Sequence, residues 1–144
     1  MEAIYDSTRR QLHEDDIDGI TALYPNVATG TIAGAVTNAG DASGIGGPST
    51  EVALAAALEL ERQPEPLSHV LIATFATDGV DGPTDAAGAI ATASTPEQAR
   101  HNGLDPHLAL SNHDSHTLFN RLGTLIRTGP TGTNVNDIVL AFAY

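Results

Sequence analysis

Residues Val70–Ala76 form a continuous apolar, partly β-branched segment, followed at once by the polar segment Thr77–Gly88. The apolar segment is typical of a buried β-strand, because a strand covered on both faces does not alternate polar and apolar residues. The polar segment contains three aspartates, Asp78, Asp81 and Asp85, together with three glycines and a proline. Because glycine and proline favour turns, this segment is predicted to be a loop at the end of the strand.

A second loop of the same kind, Thr128–Asp137, follows the short apolar run Thr124–Arg127. Residues 128–136 carry many hydroxyl and amide groups and no charge, which suits hydrogen bonding to a polar ligand or to a neighbouring loop. In open α/β sheets, ligands bind at the carboxyl ends of strands, where both loops fall. The two loops are therefore predicted to face each other across a binding site.

Helical and extended patterns alternate along the rest of the chain. Ser49 and Thr50 are predicted to cap a helix over Glu51–Arg62, whose apolar residues form one buried stripe. Further helices are predicted to start at Thr95, Asp105 and Asp114, and short strands are predicted near residues 89–93, 125–127 and 138–142. This alternation predicts an α/β fold, a layered sheet with helices packed on it, over residues 44–144.

Residues 1–43 differ in character from the rest of the chain. Apolar residues recur at helical spacing before Pro25, which predicts an amphipathic helix as an N-terminal appendage over residues 1–25. Residues 26–43 are rich in small residues and are predicted to form a linker or an edge strand over Thr31–Thr37.

Charge and composition limit the possible partners and compartment. The chain has 144 residues, six arginines, no lysine and a formal net charge of −12. Nucleic acid and anionic membranes are excluded as partners, because each needs a basic face. There is no cysteine, no apolar run long enough to span a membrane and no signal-peptide pattern, so a cytoplasmic location is expected. The acidic balance also suggests a salt-loving host, a hypothesis that a lack of added stability in molar salt would contradict.

Three segments have the composition of chemical sites, each with a plainer alternative. The glycine loop Gly44–Thr50 precedes a helix, so its N–H groups can hold an anion or simply form a capped loop. The aspartates of residues 77–88 can bind a divalent cation or accept from turn N–H groups. The run Asn112–His116 invites a metal or triad hypothesis, although a helix start capped by Asp114 or Ser115 is also consistent with it.

Four segments together resemble the MOFRL domain, which is the C-terminal domain of glycerate 2-kinases, also known as hydroxypyruvate reductases. They are Gly46–Glu51, Ala76–Ala89, Asn112–Ser115 and Thr128–Asp137. The resemblance covers about residues 44–144 and implies a Rossmann-like α/β domain. It also implies ATP-dependent phosphorylation of D-glycerate at its 2-hydroxyl, with Mg²⁺ and ATP as cofactors.

In that family, the active site lies between the MOFRL domain and a large N-terminal domain that carries an essential lysine. This chain has no lysine, and Pro48 stands where the family often has an arginine. The resemblance therefore implies a catalytically incomplete domain, with a large glycerate-kinase domain as one possible partner. The alternative is a non-enzymatic module that forms a homodimer through the exposed face of the cleft.

The residues expected to bind a small-molecule substrate or nucleotide come from all of these loops. They are Gly46, Gly47, Thr77, Asp78, Asp81, Thr84, Asp85, Thr131, Gly132, Thr133, Asn134 and Asn136, with Asp78 and Asp81 as possible metal ligands. Residues 12–25 separately resemble the last helix of matrixin-type zinc metalloproteases. Because the zinc motif of that family is absent, this second resemblance implies no protease activity and instead predicts a natural or engineered chimera.

Overall fold

The computed structural model describes residues 44–63 and 67–144. The helix, linker, edge strand and protease-like segment predicted within residues 1–43 lie outside the described residues. The described elements are α1 (Pro48–Arg62), β1 (Val70–Ala76), β2 (Gly88–Thr92), α2 (Thr95–His101), α3 (Pro106–Ser111), α4 (Ser115–Leu122), β3 (Leu125–Ile126) and β4 (Asp137–Ala143). The search of the described helices for one long and apolar enough to cross a membrane found none.

The four strands form one sheet in the order β3-β2-β1-β4, and each neighbouring pair is antiparallel. Phe75 stands opposite Gly88, Ala76 opposite Asp137, and Gly88 opposite Ile126. The end of β1, the start of β2, the end of β3 and the start of β4 consequently share one edge, which we call the loop edge. The sheet with packed helices confirms the predicted α/β layers.

The two predicted loops meet at the loop edge, but not because the strands are parallel. Only in a parallel sheet do all strand carboxyl ends share one edge, as the prediction assumed. Here residues 77–87 connect β1 to β2, and residues 127–136 connect β3 to β4. Strands β1 and β2 run in opposite directions, and so do β3 and β4. Each connection therefore starts and ends at the same edge.

The core lies between the sheet and the helices and is built from small residues. Ala53, Leu54 and Ala57 of α1 are fully buried against β2, while Leu118 and Phe119 of α4 close the same cluster. Alanine at the contact positions lets a helix approach a sheet closely, so a dense core needs few aromatic residues. Helix α1 is thereby held with its N-terminus near the loop edge.

Strand β4 is the least covered element of the described structure. Val139, Leu140 and Phe142 are 54%, 39% and 51% exposed. Leu140 stands opposite Ala73 and Phe142 opposite Leu71, so these two share the sheet face that carries alternate residues of β1. The sequence predicted a strand here, which is confirmed, and its apolar side chains lie at the surface.

Candidate functional site

The two loops of the loop edge are joined by a set of hydrogen bonds centred on Thr77. The Thr77 hydroxyl donates to the Asn136 carbonyl oxygen at 2.8 Å and accepts from the Val135 N–H at 2.8 Å. The Thr131 hydroxyl donates to the Thr77 carbonyl oxygen at 2.6 Å. The side-chain amide of Asn134 donates to Asp78 Oδ2 at 3.0 Å. The structure thus brings residues 77–78 and 131–136 together, as their composition predicted.

Glycines allow this junction to be close. Gly79 has a φ of +88°, and a Cβ atom there would overlap the Gly129 carbonyl oxygen. Gly132 and Asn136 also have positive φ values, of +76° and +73°. Inside the second loop, the Thr131 hydroxyl also approaches the Thr133 carbonyl oxygen at 3.2 Å. The second loop is therefore a folded structure, fixed by its own hydrogen bonds and by the first loop.

Asp81 is the buried anchor of the first loop and is only 1% exposed. Its two carboxylate oxygens accept from the N–H groups of Ser49 and Thr50, each at 2.8 Å. These are free donors of the first turn of α1, and the positive end of the helix dipole favours a carboxylate at that position. Asp81 therefore caps α1 from 31 or 32 residues away in sequence.

The glycine loop is shaped by that cap. A Cβ on Gly47 would overlap Asp81, and a Cβ on Gly46 would crowd the Ser115 hydroxyl and the His113 carbonyl oxygen. The anion at this helix N-terminus is consequently the chain's own carboxylate. The prediction that Ser49 and Thr50 are caps is corrected in one respect: α1 begins at Pro48, so both residues lie within its first turn and Gly47 is the N-cap.

The run Asn112–His116 supports the same helix start. The Ser115 hydroxyl donates to the Thr50 hydroxyl at 3.0 Å, and His113 Nδ1 lies 2.6 Å from Glu51 Oε1. The Ile45 N–H donates to Asp114 Oδ1 at 3.0 Å. These contacts hold the start of α4 against the glycine loop. They match the prediction that the run 112–116 begins a helix more closely than the prediction of a triad.

Asp85 lies near the end of the first loop with its side chain 67% exposed. Its Oδ1 lies 2.8 Å from His116 Nε2, and its Oδ2 accepts from Arg127 Nε at 3.1 Å. The hydrogen bond from His116 and then that from Arg127 lower the pKa of Asp85 below its usual value. Thr84 lies beside it, and its hydroxyl donates to the Asp81 carbonyl oxygen at 2.8 Å.

His116 and Arg127 were not among the residues predicted for the site. The sequence places His116 in the run 112–116, with its metal, triad or helix-start alternatives, and places Arg127 at the end of a strand. A signal was nevertheless present, because Arg127 is the one basic residue directly before an uncharged, hydroxyl-rich loop. A guanidinium group at that position can bind an anion, a role that the assignment to the end of a strand leaves out.

Acidic side chains surround the junction of the two loops. Partial desolvation of its carboxyl group raises the pKa of Asp137, although the residue lies at the surface, and the negative charges of Asp81 and Asp78 raise it further. Asp78 accepts from Val80 N–H with Oδ1 and from the Asn134 amide with Oδ2. No group of three or more His, Cys, Asp or Glu side chains within residues 44–63 and 67–144 is placed to hold a metal. Because Asp81 is buried and engaged by α1, a Mg²⁺ ion would find only Asp78 of the predicted pair accessible.

Replacing Asp137 with asparagine is expected to stabilise the protein at neutral pH. A carboxyl whose folded pKa is raised binds its proton more tightly when folded, so its charged form opposes folding. The gain of Asp137→Asn should therefore be full above the folded pKa. It should fade as the pH falls through that value and vanish below the ordinary aspartate range. Urea unfolding of both proteins at several pH values measures this, and a gain that does not change with pH would contradict it.

Comparison with known proteins places this fold and these loops in a family. The model of the MOFRL family matches residues 27–137. The chain is 46% identical over 98 residues to the D-glycerate 2-kinase of Thermotoga maritima, a match that covers 68% of this chain and 22% of the relative. It is 45% identical over 98 residues to the glycerate 2-kinase of Pyrococcus horikoshii, covering 68% of this chain and 21% of the relative.

A solved structure shares the fold as well as the sequence. The crystal structure of glycerate kinase from Thermotoga maritima superposes with a TM-score of 0.66 at 43% identity, covering 72% of this chain and 24% of that one. The chain thus spans roughly a fifth to a quarter of the length of these relatives. Because the family model covers most of the chain, and a solved relative shares its fold, the protein belongs to the MOFRL family.

Proposed function

We propose that this chain forms one side of the active-site cleft of a glycerate 2-kinase. The observation that carries the proposal is the hydrogen-bonded junction of residues 77–78 with residues 131–136. It occurs in a chain whose sequence is 46% identical over 98 residues to a D-glycerate 2-kinase. The second loop is exposed along residues 127–137, so its hydroxyl, amide and backbone groups are accessible to a polar ligand. D-glycerate and ATP both present the hydroxyl and oxyanion groups that such donors bind.

The predicted site residues divide into two roles in this proposal. The first role is structural. Asp81 accepts from the first turn of α1, and a side chain would not fit at Gly46 or Gly47, so these three residues hold the loops in shape and are not available to a ligand. The residues that can touch a ligand are the exposed or half-exposed ones, which are Thr77, Asp78, Thr84, Asp85, Thr131, Gly132, Thr133, Asn134 and Asn136.

The half-site is catalytically incomplete by itself. Phosphoryl transfer depends on cations that stabilise the charge of the transferring group, among them Mg²⁺ bound to the nucleotide phosphates. The chain has no lysine and a net charge of −12. Of its predicted metal ligands only Asp78 is accessible. Most of the positive charge, and most of the ligands for Mg²⁺, must therefore come from residues outside this chain. The remainder of a glycerate-kinase fold is therefore the proposed partner, with the reacting groups held between the two.

A thermal-shift titration with D-glycerate and with Mg-ATP tests the proposal. A ligand that binds the native state raises the apparent stability by about 2.7 kcal/mol at a hundredfold excess over Kd. Thr77→Val keeps the shape of the side chain and removes both hydroxyl bonds to the second loop, so it should abolish a saturable shift. Thr117→Val, an isosteric change on the exposed side of α4, is the matched control and should leave the shift intact.

The outcome separates this proposal from a second candidate, self-association. That alternative is favoured by β4, which lies at the edge of the sheet that residues 44–63 and 67–144 form and has exposed apolar side chains and no charged side chain after Asp137. An uncharged antiparallel edge can pair with its own copy about a twofold axis. A tight dimer in light scattering, with no shift for either ligand, would favour the second candidate. A saturable shift that Thr77→Val removes would support the half-site.

A further inference from the structure

We propose that Arg127 and His116 form an oxyanion anchor, and that Asp85 occupies this anchor when no ligand is bound. The inference rests on the proposed function and names the part of the half-site that holds a negatively charged ligand. The ligand chemistry is a carboxylate or phosphate group that presents two oxygens. Its two sources in the proposed reaction are the carboxylate of D-glycerate and a phosphate of the nucleotide.

The geometry around Asp85 is that of a filled carboxylate site. One carboxylate oxygen lies 2.8 Å from His116 Nε2, and the other accepts from Arg127 Nε at 3.1 Å. Two donors that bind separate oxygens of one carboxylate define both its position and its plane. A carboxylate or phosphate from a ligand can make the same two bonds.

The donors are held in place while the acceptor is free to leave. The His116 side chain is 14% exposed, and Arg127 Nη2 donates to Asn120 Oδ1 at 2.9 Å. The Asp85 side chain is 67% exposed and lies in a loop. Rotation of Asp85 into solvent would therefore open the anchor without moving either donor.

Charge explains why an anchor is needed at this edge. An anionic ligand that approaches the two loops meets the carboxylates of Asp78 and Asp137, which repel it. Arg62 and Arg100, among the described arginines, are paired with the glutamates Glu59 and Glu61. Arg127 is the first residue of the exposed loop 127–136, and its guanidinium group is a charged donor for carboxylate and phosphate oxygens.

The arrangement predicts opposite effects for two neutralising substitutions. Asp85→Asn removes an internal competitor and a repulsive charge, so the affinity for D-glycerate should rise about tenfold, which equals about 1.4 kcal/mol. Arg127→Gln removes the guanidinium donor, so the affinity should fall at least tenfold. If Asp85 instead held the ligand or a metal directly, Asp85→Asn would weaken binding. The sign of the Asp85→Asn effect therefore decides between the two roles.

Isothermal titration of the whole chain with four probes carries out this test. The probes are D-glycerate, Mg-ATP, inorganic phosphate and glycerol, which keeps the hydroxyls of glycerate and lacks its charge. Glu97→Gln and Arg121→Gln change the same charges at exposed positions of α2 and α4, and they should match the wild type. Tighter D-glycerate binding by Asp85→Asn, with loss in Arg127→Gln and no heat from glycerol, is the expected result.

The other outcomes are equally decisive. Wild-type affinity in Arg127→Gln, or weaker binding of both D-glycerate and phosphate in Asp85→Asn, would overturn the anchor while leaving the half-site standing if Mg-ATP still binds. Binding of phosphate but not of D-glycerate by Asp85→Asn would support the anchor and assign it to the nucleotide phosphates. If the wild type binds neither D-glycerate nor Mg-ATP, the proposed function fails, and phosphate binding by Asp85→Asn then judges the anchor alone. No phosphate binding in that variant would overturn the anchor as well.

Discussion

Replacing Asp81 with alanine is expected to lower the free energy of unfolding by about 3 kcal/mol. The substitution removes a carboxylate that is 1% exposed and leaves the N–H groups of Ser49 and Thr50 without an acceptor in a buried place. Each lost bond to a charged group costs more than a neutral one, and water cannot enter to replace it. The favourable interaction with the dipole of α1 is lost at the same time.

Urea unfolding followed by circular dichroism measures the Asp81→Ala effect, with Asp105→Ala as the matched control. Asp105 also accepts from two helix N–H groups, those of His107 and Leu108, but it does so at the exposed start of α3. Its replacement should cost about 1 kcal/mol, as is usual for an exposed cap. Equal losses in the two variants would show that the burial of Asp81 contributes nothing to its effect.

Replacing Gly79 with alanine is expected to cost about 3 kcal/mol and to weaken ligand binding at least tenfold. The new Cβ would overlap the Gly129 carbonyl oxygen and lie close to the Thr128 hydroxyl, and the φ of +88° is unfavourable for alanine. Because the obstruction is a backbone atom, relief requires one loop to move away from the other. That movement breaks the junction on which the proposed half-site depends.

Gly129→Ala is the control, because Gly129 has a φ of +68° but no atom within 4 Å of a Cβ placed there. It should cost only the left-handed backbone penalty, about 1 kcal/mol, and should retain binding. Chemical unfolding and a D-glycerate titration of both variants provide the comparison. Similar behaviour of the two alanine variants would mean that the close contact between the loops is unimportant.

Much of the fold followed from local sequence patterns. The continuous apolar run Val70–Ala76 is β1, and the apolar stripe after Pro48 is α1, because burial demands these patterns of strand and helix. The sequence did not determine strand direction, because short apolar runs pair in either sense. The structure, in which the end of β1 at Ala76 pairs with the start of β4 at Asp137, shows that these strands are antiparallel.

The candidate site was predicted less completely than the fold. Side-chain chemistry correctly suggested that the loops bearing Thr77 and Asn134 would meet, since each is rich in donors and acceptors. The position of Asp81 could not be anticipated, because its partners at the start of α1 are more than 30 residues away. From the sequence alone, an aspartate that caps a buried helix cannot be told apart from one that, like Asp85, faces solvent between His116 and Arg127.

An NMR titration of the isotope-labelled chain with D-glycerate and Mg-ATP, followed through the backbone amides, tests the proposed half-site most directly. Saturable shifts are expected in residues 77–87 and 127–136, with little change in α2 and at the opposite end of β4. Shifts confined to β4, or no shift at any ligand concentration, would contradict the claim that the two joined loops form half of a kinase active site.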